Sequence, residues 1–299
     1  MDNVIEVCNL VKVYDNHRGV FDLSFTVKKG EMLGYVGTNG SGKSTTIRHL
    51  MGFSKPDAGK CLINGIDTWK YPELVMENIG YVPASLTFPD LGSAEALIKD
   101  RASFLKNVNM DRVNNLIKTL ELDVRLNPKV MSKGERQKLA IILALMGEPD
   151  ILILDEATTG LDPIMMEKTM KIIDEYHKMG KTILFSSNRF DEIEDYCDRV
   201  GLIIDGRLVN IIKVSDIKNS DFTFYKIGFN RNRDFKKFLD KDYIIDRRQD
   251  EYNQVVVKVE DSKVFELLKD LSNYDLKFIS EVKYDLERYF RDFLLKMEV

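Results

Sequence analysis

Two short stretches carry residue types that can hold and split phosphate. The first is Gly37-Thr38-Asn39-Gly40-Ser41-Gly42-Lys43-Ser44, which has the P-loop spacing of glycines closed by Lys and Ser. Glycines let the backbone curl until successive N–H groups point inward at phosphate oxygens, and a following helix adds its partial positive end. In such a loop Lys43 reaches the β- and γ-phosphates, Ser44 sets its hydroxyl on Mg²⁺, and Thr45 is a further phosphate donor. The bland alternative is a Gly-rich turn that binds nothing. The match is complete and lies between an expected strand and an expected helix, which argues against that turn. The second stretch is Ile151-Leu152-Ile153-Leu154-Asp155-Glu156. Four apolar residues make a buried strand, and two carboxylates emerge at its end. Asp155 is placed to hold Mg²⁺ through its water shell, and Glu156 to polarise the attacking water as a general base. A strand ending in Asp-Glu is weak evidence alone. Behind a P-loop it points to hydrolysis of a nucleoside triphosphate.

These residues need elements to position them. Residues 4–7, 21–27 and 31–36 mix β-branched and aromatic types between turn signals and read as strands. A helix is expected over 43–51, a turn over 54–59, and a strand over 60–63 before the Asn64-Gly65 hairpin signal. Between 93 and 147, Leu97, Phe104, Val113, Leu116, Ile117 and Leu120 have amphipathic helix spacing. Strands at 151–154, 182–185, 200–204 and 207–211 alternate with helices at 165–178 and 190–196. The expected fold is an α/β P-loop NTPase sheet covered by helices, with an inserted helical subdomain at about 86–147. The expected division is a nucleotide-binding domain at 1–218, a linker at 219–221, and a small C-terminal α+β accessory domain at 221–299. That tail reads as strand 224–229, helix 233–239, strands 243–248 and 254–259, helix 263–271, strand 276–282 and a last helix at 284–296. The order allows a ferredoxin-like split βαβ unit or a looser α+β extension.

Composition narrows the classes. The 299 residues are 44% hydrophobic and 31% charged, an ordinary globular balance. The net charge of -4 gives no basic footprint for nucleic acid. No apolar run reaches the ~20 residues of a membrane helix. The early acids Asp2 and Glu6 argue against a signal peptide. A cytoplasmic chain is expected, with Cys8, Cys61 and Cys197 as free thiols. His17, His49 and His177 are expected at the surface or at loop edges.

Taken together, the two stretches resemble the ATP-binding subunits of ABC transporters, and the resemblance covers about residues 4–214. In that family two cassettes sandwich two ATP molecules head to tail. Met131-Ser132-Lys133-Gly134-Glu135 stands where the signature segment belongs. The resemblance implies that Ser132 and Gly134 hold a γ-phosphate offered by the other cassette. Ser132 and Glu135 also fit a capping box, and both roles can hold at once. Lys133 and Glu135 replace the commoner Gly and Gln, a variant similar to the drug- and peptide-exporter branch. Gly160-Leu161-Asp162-Pro163 resembles the D-loop, which lines the dimer interface; Asp162-Pro163 is also an ordinary helix opening. Tyr14 stands where the family stacks an aromatic ring on adenine.

Two positions depart from the family. Ala84 replaces the Q-loop Gln and Asn188 replaces the switch His, leaving Asn188 as the candidate partner of Glu156 in catalysis. The resemblance implies ATP and Mg²⁺ as cofactors, a second ATPase subunit, and a transmembrane permease on a separate chain. It implies a peripheral place on the inner face of the cell membrane, with cargo among drugs, lipids or amphipathic peptides. Residues 84–100, with Leu86, Phe88 and Leu91 expected exposed, are the expected seat of the permease or else ordinary packing. Two other readings stay open: a catalytically weak regulatory subunit, and a soluble ABC protein acting on ribosomes.

Overall fold

A strand buried on both faces needs no polar alternation, and residues 32–36, 151–155 and 182–187 show little. All three become fully buried strands of one sheet. The structure, a computed structural model, describes residues 2–15, 17–106, 108–218 and 221–297. Residues 219 and 220 of the expected linker lie outside the described residues.

The chain divides into two compact units, Met1–Lys213 and Val214–Val299. In chain order the first runs β1 (Asn3–Val13), β2 (Gly19–Lys28), β3 (Met32–Val36), α1 (Lys43–Leu50), β4 (Ala58–Ile63), β5 (Ile66–Asp67) and α2 (Pro72–Met76). It continues with β6 (Ile79–Val82), α3 (Ala94–Ser103), α4 (Met110–Thr119), α5 (Lys133–Leu145), β7 (Ile151–Asp155) and α6 (Pro163–Lys178). It ends with β8 (Thr182–Ser187), α7 (Asp191–Glu194), β9 (Arg199–Ile204) and β10 (Arg207–Lys213). Two sheets result. One is antiparallel, in the order β2-β1-β4-β5. The other has the order β10-β9-β3-β8-β7-β6 and is parallel except for β10. Asn64 and Gly65 both have positive φ, 50° and 75°, so β4 turns directly into β5.

One apolar core serves both sheets. Val4, Leu10, Val20 and Leu23 from the antiparallel sheet pack with Ile47 and Leu50 of α1 and with Leu33, Ile153 and Leu184 of the parallel one. Each such buried aliphatic side chain contributes roughly 1.5–3 kcal/mol relative to exposure. The helical insertion lies between β6 and β7, with α3 and α4 against α5 and α5 against β6. Among the described residues no helix is long and apolar enough to cross a membrane.

The second unit runs α8 (Val214–Lys218), β11 (Phe222–Phe229), α9 (Asn232–Leu239), β12 (Ile244–Gln249), β13 (Gln254–Glu260), α10 (Val264–Leu271), β14 (Leu276–Val282) and α11 (Leu286–Met297). Its sheet order is β12-β13-β11-β14, antiparallel throughout. This is the split βαβ arrangement of ferredoxin-like folds, not a loose extension. Alternate residues of the central strands, Ile227 and Phe229 with Val255, Val257 and Val259, meet Phe235, Phe238, Leu267 and Leu271 of the two helices in a core of their own.

Separate cores make separate folding units. A chain stopped at Lys213 is expected to melt in one cooperative step and to bind ATP as the full chain does, measured by calorimetry. Insoluble or non-binding protein would mean that the units share stability.

Candidate functional site

Three strand ends meet along one edge of the parallel sheet. β8 pairs with β3 so that Ser187 lies beside Val36, and with β7 so that Ser186 lies beside Asp155. The P-loop leaves β3, the carboxylates close β7, and Asn188 follows β8. Residues more than a hundred positions apart thereby become neighbours. Gly42 caps α1 with φ at 110°, in the left-handed region that a side chain would strain.

Lys43 is buried and folds back on its own loop. Its Nζ donates to the carbonyls of Gly37 (2.7 Å) and Thr38 (3.1 Å) and sits 3.3 Å from Glu156 Oε1. Ser41 Oγ is buried without a hydrogen-bond partner among the described residues. A buried hydroxyl without a partner costs free energy, so the loop is better satisfied with an acceptor in it. A phosphate fits that need.

Asp155 is only 2% exposed. Burial pushes its carboxyl above the usual carboxylate range, the hydroxyls of Ser186 and Ser44 pull it back, and Glu156 adds to the rise. Ser186 Oγ donates to Asp155 Oδ1 at 2.6 Å. Glu156 holds a left-handed backbone, φ 52°, and its N–H donates to the carbonyl and the hydroxyl of Ser186, both at 3.1 Å. A non-glycine residue there costs on the order of 1 kcal/mol and persists only where its surroundings fix it. Ser44 and Asp155 offer oxygen donors, the kind Mg²⁺ prefers. Among the described residues no group of three His, Cys, Asp or Glu could hold a metal. An ion here would share its shell with phosphate and water.

Asn188 is exposed, and its Nδ2 donates to Asn39 Oδ1 at 3.4 Å, a long contact between switch and P-loop. Ala84 is exposed just after β6 and supplies no polar group. Four residues that the sequence did not single out also belong here: Ser186, Ser187, Thr158 and Glu192. The visible signal was the Ser-Ser pair closing an apolar strand. Glu192 carried none, because its partners Thr158 and Ser187 come from other elements.

Ser132 and Gly134 form a second cluster. Ser132 caps α5: its Oγ accepts from Glu135 N at 3.2 Å, and Glu135 Oε2 accepts from Ser132 N at 2.8 Å. A Cβ on Gly134 would come 2.9 Å from the Gly160 carbonyl, so the start of α5 needs a glycine to pass the loop before α6. Asp162 caps α6, its Oδ1 accepting from Ile164 and Met165 N–H groups at 3.0 Å. Tyr14 is 40% exposed, with Lys12 Nζ 5.9 Å from its ring. Two expectations need correction. His49 is buried, its Nδ1 in contact with the Thr45 carbonyl at 2.7 Å, because it sits on the inner side of α1. His177 lies at the loop edge, in the last turn of α6, and reaches Asp198 Oδ2 at 3.0 Å. Leu86 and Phe88 are half-buried, and only Leu91 of that trio is exposed.

The raised Asp155 carboxyl has a sign that can be checked. An acid whose folded pKa lies above its unfolded value weakens the fold as pH rises through that window. Asp155→Asn removes the buried charge and keeps an acceptor for Ser186. It is expected to raise the melting temperature of the ligand-free chain at pH 7, while Mg²⁺-dependent turnover falls by ~10²-fold or more. A lower melting temperature would contradict the burial account.

The ABC transporter family pattern matches residues 20–159. The bacitracin transport ATP-binding protein BcrA of Bacillus licheniformis is 33% identical, over 73% of this chain and 72% of its own. An uncharacterised ABC transporter ATP-binding protein of Methanocaldococcus jannaschii is 29% identical over 96% of this chain and 98% of its own. A solved ATP-binding subunit of an ABC transporter superposes with a TM-score of 0.66 at 30% identity, covering 72% of this chain and 92% of that one. The chain belongs to the ABC transporter ATP-binding protein family.

Proposed function

We propose that this chain is an ATP-driven clamp that powers a membrane exporter. The observation that carries the reading is the single sheet edge where Lys43, Asp155, Glu156 and Asn188 converge, with Ser132 and Gly134 in a cluster of their own. Half a site of each kind on one chain suits a head-to-tail pair, in which each ATP lies between one P-loop and the other chain's Ser132 and Gly134.

In this reading Gly37, Thr38, Asn39, Gly40, Ser41 and Gly42 wrap the phosphates. Lys43 leaves the Gly37 and Thr38 carbonyls for the β- and γ-phosphates, and Thr45 adds a donor. Ser44 and Asp155 hold Mg²⁺, which neutralises charge on the phosphate oxygens when bound. Tyr14 stacks on adenine, and Asp162 lies at the interface. Glu156, freed from Lys43, accepts the proton of the attacking water. Asn188 donates an amide hydrogen bond toward the γ-phosphate.

The partner is a permease on a separate chain, which would hold this subunit at the inner membrane face. We assign its seat to residues 84–100, of which Leu91 is exposed, together with a groove of about 450 Å³ lined by Glu73, Met76, Asn78, Arg101, Phe104 and Leu105. Phe104 is 74% exposed there, a large apolar side chain in want of cover. The bacitracin-transport relative favours cargo of the drug or amphipathic-peptide class. Asn188 and Ala84 favour one variant of this reading, a slow subunit that works beside a faster one.

Asn has shorter reach than His and no titratable proton, and one transition-state hydrogen bond is worth on the order of 10²-fold in rate. Basal ATPase of the full chain is therefore expected to be slow with ATP affinity intact. Asn188→His is expected to raise kcat several-fold and to add an inflection near a histidine pKa to the pH profile. Fast wild-type turnover without gain in the variant would show that another group already does this work.

A further inference from the structure

One buried carboxylate in the first unit has no part in the chemistry above. Glu192, the second residue of α7, is 6% exposed. Its Oε2 accepts from Thr158 Oγ1 and from Ser187 Oγ, both at 2.8 Å. Its Oε1 lies 3.5 Å from Arg189 Nε. Thr158 belongs to the segment after β7, two residues beyond Glu156. Ser187 precedes Asn188, and its Oγ also accepts from the N–H of Arg189 at 3.0 Å, so the backbone on both sides of Asn188 is tied down. On the other arm, Thr159 N donates to the Glu156 carbonyl and Leu161 N to the Thr158 carbonyl, the turn that leads into Asp162.

We infer that Glu192 is a positioning residue: it fastens the loop that carries Glu156 to the loop that carries Asn188, so that both meet the γ-phosphate of ATP as one rigid pair. This rests on the reading of the chain as an ATPase. Burying a carboxylate is costly, and an apolar side chain of similar volume often stabilises as well or better. The carboxyl group sits where two loops from different strands are joined. A helix of four residues has little stability of its own, so α7 is held by what it bonds. A short Asn depends more on this fixing than a longer side chain would, because it cannot reach across an error in placement.

The test uses the full chain with Mg-ATP and compares Glu192→Ala, Glu192→Gln and Thr158→Val with wild type. Misplacement by about 1 Å can cost ~10²-fold in rate. Glu192→Ala is expected to lower kcat by ~10-fold or more at unchanged KM for ATP, and to speed amide exchange at Arg189 and Thr159. Glu192→Gln keeps an acceptor oxygen for the two hydroxyls and is expected to recover most of the lost rate. Thr158→Val removes one arm, lowers kcat less, and adds nothing on top of Glu192→Ala. Folded Glu192→Ala with wild-type kcat and exchange overturns the inference. So does a loss that Gln fails to recover and that lowers ATP binding equally, since that is general damage. If Glu192→Ala does not fold, Thr158→Val and Ser187→Ala carry the test: each must lower kcat, and their double variant must fall short of the product of the two. If instead Lys43→Ala leaves turnover unchanged, the ATPase reading itself fails.

Discussion

Strand β8 pairs in parallel with β3 on one side and β7 on the other, and this pairing decides where the chemistry can occur. A one-residue slip would turn every side chain of a strand to the opposite face. The register puts Tyr35, Ser186 and Asp155 in one row across three strands. Ser186 then bonds the Asp155 carboxylate by its hydroxyl and the Glu156 amide by both its oxygens. The hydrophobic core beneath, with Leu33, Ile153 and Leu184 at full burial, is what makes that register the stable one.

Around that row the ligand-free chain holds several unfavourable features. Asp155 is a buried acid pushed toward its neutral form. Glu156 has a left-handed backbone, and Ser41 has a buried hydroxyl without a partner among the described residues. Lys43 is satisfied by loop carbonyls and by Glu156. A divalent cation would favour the charged form of Asp155, and a phosphate in the loop would give Ser41 an acceptor and Lys43 a counter-charge. Strain of this kind gathers at functional sites and is offset by packing elsewhere.

The P-loop and the Asp-Glu strand end were legible in the sequence because their chemistry is written in consecutive residues. The insertion and the strand–helix alternation were legible from periodicity. What periodicity cannot state is which edges pair, so it left the tail open between a ferredoxin-like unit and a loose extension; the order β12-β13-β11-β14 decides it. Glu192 was silent for the same reason, since its bond to Thr158 spans 34 residues. His49 was misplaced because a polar side chain on a short helix reads as exposed, whereas its ring packs inward against the Thr45 carbonyl. Ser132 and Asp162 close helix ends in the structure, a local role that capping chemistry makes legible and that leaves the interface role implied by the family resemblance free to hold beside it.

The central claim is that ATP joins two copies of such a site. The most direct measurement is the mass of the full chain carrying Glu156→Gln, by light scattering, with saturating Mg-ATP and then with Mg-ADP. The amide keeps the shape of the side chain but cannot accept the proton, so ATP stays intact. The account predicts a dimer with ATP and a monomer with ADP. A monomer in both, with ATP demonstrably bound, would contradict a γ-phosphate held from two sides in a pair of these chains.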